Sequence, residues 1–325
     1  MKTLKTAILL GFFLLSHTLS VSAADNIYEV SSTDTLPSIA EEFNISVEEL
    51  LHINGLQSEE LVVGQKIKIP ILYEVQAGDS IQEIAQAYHS TVEKIKTTNG
   101  LSSESVIPGQ LLHVVPKKLP RDGQHIVMSK EEFKDWLFHQ EFKREIKLIQ
   151  HHHTWAPSYK HFNGSNHFQI LKGMERHHKK EMGWSNIAQN ITTFPDGKIA
   201  VSRPFDVAPE GTIGPLANAN GLTIENLGNF DVGHDTMTKE QKETIIYITA
   251  LLSVKFGLTP SIDTITYHHW WRYKTGERLL DEGKSYEVKS CPGTGFFGGN
   301  STVDAKQNLY PLVKQKMDEI LQKYQ

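Results

Sequence analysis

Residues 146–157 read IKLIQHHHTWAP. Ile146, Leu148 and Ile149 form a short apolar run that ends in three histidines. A strand at Ile146–Gln150 that delivers imidazoles at its end organises the reading of the whole C-terminal half. Side chains alternate along a strand, so consecutive histidines face opposite sides of a sheet. The run marks a candidate metal ligand and leaves open which ring it is.

Upstream, Ser129 and Glu132 make a capping box for a helix carrying Phe133, Trp136 and Leu137 on one face. Downstream, the pattern predicts a helix over His167–His178 and strands near Ile187–Thr193, Lys198–Ser202 and Gly221–Leu227. A helix over Lys239–Phe256, a strand at Thr264–Tyr267 and a last helix over Asp304–Tyr324 follow. Strands alternating with helices predict an α/β (α+β) domain over 128–325, a mixed sheet flanked by helices. Two further groups of candidate ligands fall at strand ends or beyond: His268-His269 and Cys291. Zinc accepts imidazole nitrogen and thiolate, and a catalytic site uses three protein ligands. With 16 histidines in the chain, spacing alone does not single out the set.

The N-terminal part is a tandem. Residues 28–70 and 73–116 share Tyr-Glu-Val, Asp34 or Asp79, Ile39-Ala40 or Ile84-Ala85, Asn54-Gly55-Leu56 or Asn99-Gly100-Leu101, and Gly64-Gln65 or Gly109-Gln110. Each unit predicts a βααβ module, with Asp34 or Asp79 placed to cap the first helix. These motifs strongly resemble the LysM module. That resemblance implies binding of N-acetylglucosamine-containing wall glycans, in a groove between the first strand–helix loop and the second helix–strand loop. The organisation expected is module one at 27–70, module two at 73–116, a proline-bearing basic linker at 117–127, and the domain at 128–325.

Residues 1–24 carry Lys2 and Lys5, an apolar core from Ala7 to Leu15 and a small-residue end, the pattern of a secretory signal peptide. Its removal moves the formal charge from −5 to −7. No basic stripe points to nucleic acid, and no apolar run reaches the length of a membrane span. A secreted, cell-wall-associated protein is expected. The single cysteine, Cys291, leaves no internal disulfide.

HHTWAP, GWSNIAQNITTFPDGKIAVSRP, LTIENLGNFD, ITYHHWW and VKSCPG occur in this order within 151–295. Together they resemble the zinc-dependent N-acetylmuramoyl-L-alanine amidases of the amidase type 2 and peptidoglycan recognition protein family. The resemblance implies cleavage of the amide between N-acetylmuramic acid and the L-alanine of the stem peptide. It places the Zn2+ ligands at His152, His268 (His269 as fallback) and Cys291. It gives Glu225 the part of general base and Lys289 that of oxyanion stabiliser. His178 is expected to line the cleft, Asn218, Asn220 and Asn226 to contact the peptide stem, and Trp270 to stack on sugar or to pack in the core. Where some active relatives carry a tyrosine in an IGYH segment, this chain has Ile187-Ala188-Gln189-Asn190, so Gln189 is given no catalytic role. Residues Arg272–Tyr286, between His268 and Cys291, read as an inserted loop. The contrasting class is a peptidoglycan-binding protein without catalysis, whose members typically lose the cysteine ligand.

Overall fold

The computed structural model describes residues 26–272 and 275–322. The expected signal peptide lies outside them. Among the described residues, no helix is long and apolar enough to cross a membrane.

The first repeat runs β1 (Ile27–Glu29), α1 (Leu36–Glu42), α2 (Val47–Asn54) and β2 (Lys66–Lys68). The second runs β3 (Ile71–Glu74), α3 (Ile81–Ala87), α4 (Val92–Asn99) and β4 (Leu111–Val114). In each, the outer strands pair antiparallel, Tyr28 opposite Ile67 and Tyr73 opposite Leu112. Helices of seven or eight residues are too short to persist alone. Separate apolar cores hold them, around Leu36, Leu50 and Ile67 in one repeat and Ile81, Ile95 and Leu112 in the other.

The first helices are capped by Thr35 and Ser80, not by the preceding aspartates as expected. Asp34 and Asp79 instead accept hydrogen bonds from Tyr28 Oη (2.9 Å) and Tyr73 Oη (2.6 Å) and from the backbone N–H of Ser31 and Gln76. A residue two steps from the helix is better placed to close the turn than to reach the N3 amide.

The rest of the chain builds a seven-stranded mixed sheet. Its strands are β5 (Arg121–Asp122), β6 (His125–Met128), β7 (Leu148–His153), β8 (Ile191–Thr193), β9 (Ile199–Val201), β10 (Gly221–Asn226) and β11 (Ile265–Tyr267), in the order β11-β7-β10-β8-β9-β6-β5. The pairs from β11 through β7 and β10 to β8 are parallel, and those from β8 through β9 and β6 to β5 are antiparallel. The helices are α5 (Lys130–His139), α6 (His167–Lys180), α7 (Pro215–Ala219), α8 (Lys239–Phe256) and α9 (Thr302–Asp304), the last continuing through a π turn at Ala305–Leu309 into α10 (Tyr310–Gln322). α5, α8 and α10 share one core with Ile126, Ile149, Ile224 and Ile265. α6 covers the opposite face with Val127, Phe194, Ala200 and Leu227. The alternation of Ile126 and Val127 between the two cores is the period of two expected of a strand.

Two elements depart from expectation. The segment read as linker, 117–127, contributes β5 and most of β6 to the sheet, and Leu119 joins the main core. α7 was not expected at all.

The first repeat is docked on this body. Trp136 Nε1 donates to Gly55 O (3.2 Å), Arg121 Nη1 to Leu56 O (2.7 Å), and Gln57 Nε2 to the carbonyls of Gln124 and Ser202 (3.0 Å each). Lys68 pairs with Asp135, which also faces His139 (3.1 Å) and, from the second repeat, His89 (3.7 Å).

Candidate active site and metal centre

The C-terminal ends of the parallel strands supply the site. β7 and β10 run in register with Glu225 opposite His152, so the two side chains leave the sheet side by side. β11 ends at Tyr267, and the following 3-10 turn begins with His268. Cys291 arrives on a loop held by Asp231, which accepts from Ser290 Oγ and from the Thr294 N–H, both at 3.0 Å.

The histidine run separates by alternation. His151 faces the α8 core, with Nε2 3.2 Å from Thr249 Oγ1 and its ring against Phe296. His153 turns to Phe230, whose N–H donates to its Nδ1 (3.2 Å). His152 faces the cleft, and Asn226 Nδ2 steadies its carbonyl (2.7 Å). The ligand atoms of His152, His268 and Cys291 all lie within 4.8 Å of one another. His269 instead donates from Nδ1 to Lys289 O (2.7 Å) and does not belong to that trio.

This trio fits zinc on two grounds. The Nε2 atoms of both His152 and His268 are buried and have no hydrogen-bond partner, and buried polar atoms of a folded protein are normally paired. The donors are also two imidazoles and one thiol, the set suited to this metal. Burial holds His152 well below its ordinary range and His268 at about 3, so both rings are neutral, as ligation requires. Burial pushes the Cys291 thiol well above its usual range. Its thiolate therefore needs a neighbouring positive charge, and a bound cation would supply one.

The trio opens into a cleft of about 510 Å³ that also exposes Glu225, Lys289 and His178. Desolvation raises the Glu225 carboxyl to about 8, with Lys289 pulling the other way. His178 accepts at Nδ1 from the Ala188 N–H (3.1 Å), and its ring lies over Trp184 at 4.9 Å. Burial lowers His178 to about 4, so its ring is neutral at neutral pH. An accepting Nδ1 leaves the ring proton on Nε2.

Four expected substrate contacts lie elsewhere. Asn218 is buried, its Oδ1 accepting from Gln150 Nε2 (3.1 Å) and Thr212 Oγ1 (2.7 Å). Asn220 caps α7 at the opposite end of β10, and its carbonyl accepts from Lys147 and Leu148. Trp270 is fully buried on Tyr267 and donates to Asn300 O (2.8 Å). Asn226 is also buried, acting on the His152 backbone. Gln189 is buried and donates to Thr192 Oγ1 (3.0 Å). Sequence reasoning missed Trp155, Met182 and Trp184 as cleft walls. Trp155 is 62% exposed with a φ of 55°, and an indole two residues past the end of the ligand-bearing strand was the available signal.

The LysM domain family model matches residues 28–70 and 73–115. No curated protein matches the chain. Among solved structures, wild-type PGRP-LB of Drosophila is 17% identical over 53% of this chain and 85% of that chain, with a TM-score of 0.38. The endolysin N-acetylmuramoyl-L-alanine amidase LysCS from Clostridium intestinale URNW is 20% identical over 54% and 85%, with a TM-score of 0.35. LysC from the same organism, also an N-acetylmuramoyl-L-alanine amidase, is 21% identical over 54% and 87%, with a TM-score of 0.35. The N-terminal βααβ units of this chain are two LysM domains in tandem, set before a mixed sheet that carries the His152–His268–Cys291 cluster.

Proposed function

We propose that this protein is a secreted, zinc-dependent N-acetylmuramoyl-L-alanine amidase, brought to peptidoglycan by its LysM pair and cutting with the domain at 128–325. The observation that carries this reading is the meeting of three buried ligand atoms with Glu225 and Lys289 in one cleft. A site built only to hold a peptide has no use for two unpaired buried imidazoles beside a thiol.

In this reading His152, His268 and Cys291 hold the metal. When bound, zinc supplies a Lewis acid and a water of lowered pKa. Glu225 takes a proton from the attacking water and later gives it to the departing amine nitrogen. With Lys289 already pulling it down, burial still leaves Glu225 at about 8 and protonated at neutral pH; the further positive charge of a bound metal would favour the carboxylate that acts as base. The Lys289 ammonium faces the charge that develops on the scissile carbonyl oxygen. His178, protonated on Nε2, lines the same cleft as a donor for the substrate. The LysM units supply glycan affinity, and two weak sites on one chain raise avidity for a polymer.

Replacing Cys291 by serine separates hydrolysis from binding. The expected result is loss of lysis of purified peptidoglycan with co-sedimentation retained. A wild-type protein that co-sediments and releases nothing would make this a binding protein instead.

A further inference from the structure

Next to the loop that carries Cys291, but sharing no lining residue with the cleft, lies a groove of about 690 Å³. Residues 230–237 after β10, Lys242 of α8, the turn at 295–298 and residues 307–312 form it. Its volume lies within the range of small-molecule sites, about 300–1,000 Å³.

Two costly backbone features meet on this groove. Phe297 stands in the left-handed region (φ 47°, ψ 39°), where a bulky residue is a genuine outlier. Gln307 and Asn308 belong to the π turn Ala305–Leu309, a form that is rare and frequent at functional sites. Gly298, with a φ of 92°, makes room for one of them, since a Cβ there would stand 2.8 Å from Asn308 Nδ2. Exposed polar side chains are ordinary by themselves. Two backbone irregularities of different kinds on one groove are not, and strain of this kind clusters at ligand sites.

The lining divides by chemistry. Phe230, Met237, Phe297 and Leu312 give it an apolar floor continuous with the main core. Its two carboxylates are already satisfied. Asp231 is held by Ser290 and Thr294, and Asp235 accepts from the N–H groups of Asn229 (2.8 Å) and Tyr159 (3.1 Å). Lys242 Nζ lies over the Phe297 ring, 5.4 Å from its centroid. Among the described residues, no carboxylate pairs with Lys242, and nothing bonds the side-chain amides of Gln307 and Asn308. The groove therefore offers one uncommitted cation, two carboxamides that both donate and accept, and an apolar floor.

We propose that this groove binds the free carboxylate end of a short peptide with small aliphatic side chains. The carboxylate meets Lys242 in a charge-assisted hydrogen bond. Gln307 and Asn308 match the two halves of a peptide bond, and the floor buries methyl groups. A neutral sugar would leave Lys242 without a counter-charge. In a chain with two LysM domains the source is a peptide of the cell wall. This binding is separate from the hydrolysis proposed for the cleft and does not depend on it.

The test is calorimetric titration of full-length, zinc-loaded protein with N-acetyl-D-alanyl-D-alanine, its C-terminal amide and its L,L form. The acid should bind about ten-fold or more tightly than the amide. Lys242→Met keeps the stem over Phe297 and removes the charge, so it should abolish that preference and leave the Tm unchanged. Hydrolysis of a soluble muramoyl peptide should also stay as in wild type. Asn308→Leu should weaken acid and amide alike. Absence of binding by the acid, equal Kd for acid and amide, or a preference that survives Lys242→Met would each overturn the site. Tighter binding of the L,L form would overturn the wall peptide as its source and point to a polypeptide tail. A wild type that cleaves no amide, with the Lys242-dependent preference intact, would count against hydrolysis and leave this site standing.

Discussion

In the first repeat, Asn54 is 5% exposed and fully employed: its amide donates to the carbonyls of Leu50 and Lys68 while its oxygen accepts from the Lys68 N–H. At the ends of β7 and β11, His152 and His268 are buried as deeply, yet each leaves Nε2 without a partner. Among the described residues of the two repeats, no buried side-chain nitrogen or oxygen is left in that condition. Unpaired buried atoms also occur elsewhere in the C-terminal domain, at Ser253 Oγ and Tyr267 Oη for example, so what sets the cleft apart is that two unpaired imidazole nitrogens there meet the Cys291 thiol. An unpaired buried polar atom costs about 1–3 kcal/mol, and a fold retains several in one cleft only when something else supplies their partner.

The largest effects should come from the cleft. His152→Ala and Cys291→Ser should each reduce amide hydrolysis to the level of a blank, read by product release, while wall co-sedimentation persists. Glu225→Gln keeps the shape and removes the proton carrier, so kcat should fall about 10²–10⁴-fold with little change in KM. An active Glu225→Gln would mean that another group moves the proton.

In the repeats the same kind of change should touch stability and leave turnover alone. Asn54→Leu strands two carbonyls and one amide, and should cost about 1–3 kcal/mol in denaturant unfolding. The repeats also differ from each other, since the helix-capping glycine of the first lies against the body and that of the second does not. Gly55 and Gly100 both cap their helices with φ of 59° and 65°. A Cβ on Gly55 would meet Leu119 at 2.9 Å and Trp136 at 3.0 Å, whereas one on Gly100 meets nothing within 4 Å. Both alanine variants carry the left-handed strain of about 1 kcal/mol, and Gly55→Ala should lose about 1–3 kcal/mol more through overpacking. Equal losses would mean that the docking contributes nothing.

Acid should also separate the regions. Burial holds His151 at about 3 and His153 at about 4 against an ordinary 6.5. The unfolded chain therefore takes up protons below pH 6.5 that the folded domain refuses. Their contribution is whole above about pH 6.5 and is lost as pH falls towards 4, at about 1.4 kcal/mol per pH unit for each ring. Unfolding followed by Trp fluorescence between pH 7 and 4 measures this, all five tryptophans lying beyond the repeats. A flat profile would contradict it.

Much of this was legible in the sequence. Long or continuous apolar patterns were read nearly to the residue, as with Lys239–Phe256 for α8 and Gly221–Leu227 for β10. β5 and β6 were not, because two- and four-residue strands in a proline-bearing basic stretch carry too little periodicity, and β9, which joins β6 to the sheet, is distant in sequence. In the site, alternation alone sets His152 apart from its neighbours. Deciding between His268 and His269 needed the 3-10 turn that sends consecutive side chains apart. Asn218 and Trp270 were ambiguous for one reason: a polar amide or an indole fits a cleft and a satisfied interior equally well, and only the partners at Gln150, Thr212 and Asn300 tell which.

The most direct test is mass spectrometry of the soluble products released from purified peptidoglycan by residues 25–325, with a chelator and after zinc is restored. The account predicts free stem peptides beginning at L-alanine, absent under chelation and returning with zinc. Products cut within the stem, or release that is indifferent to chelation, would contradict it.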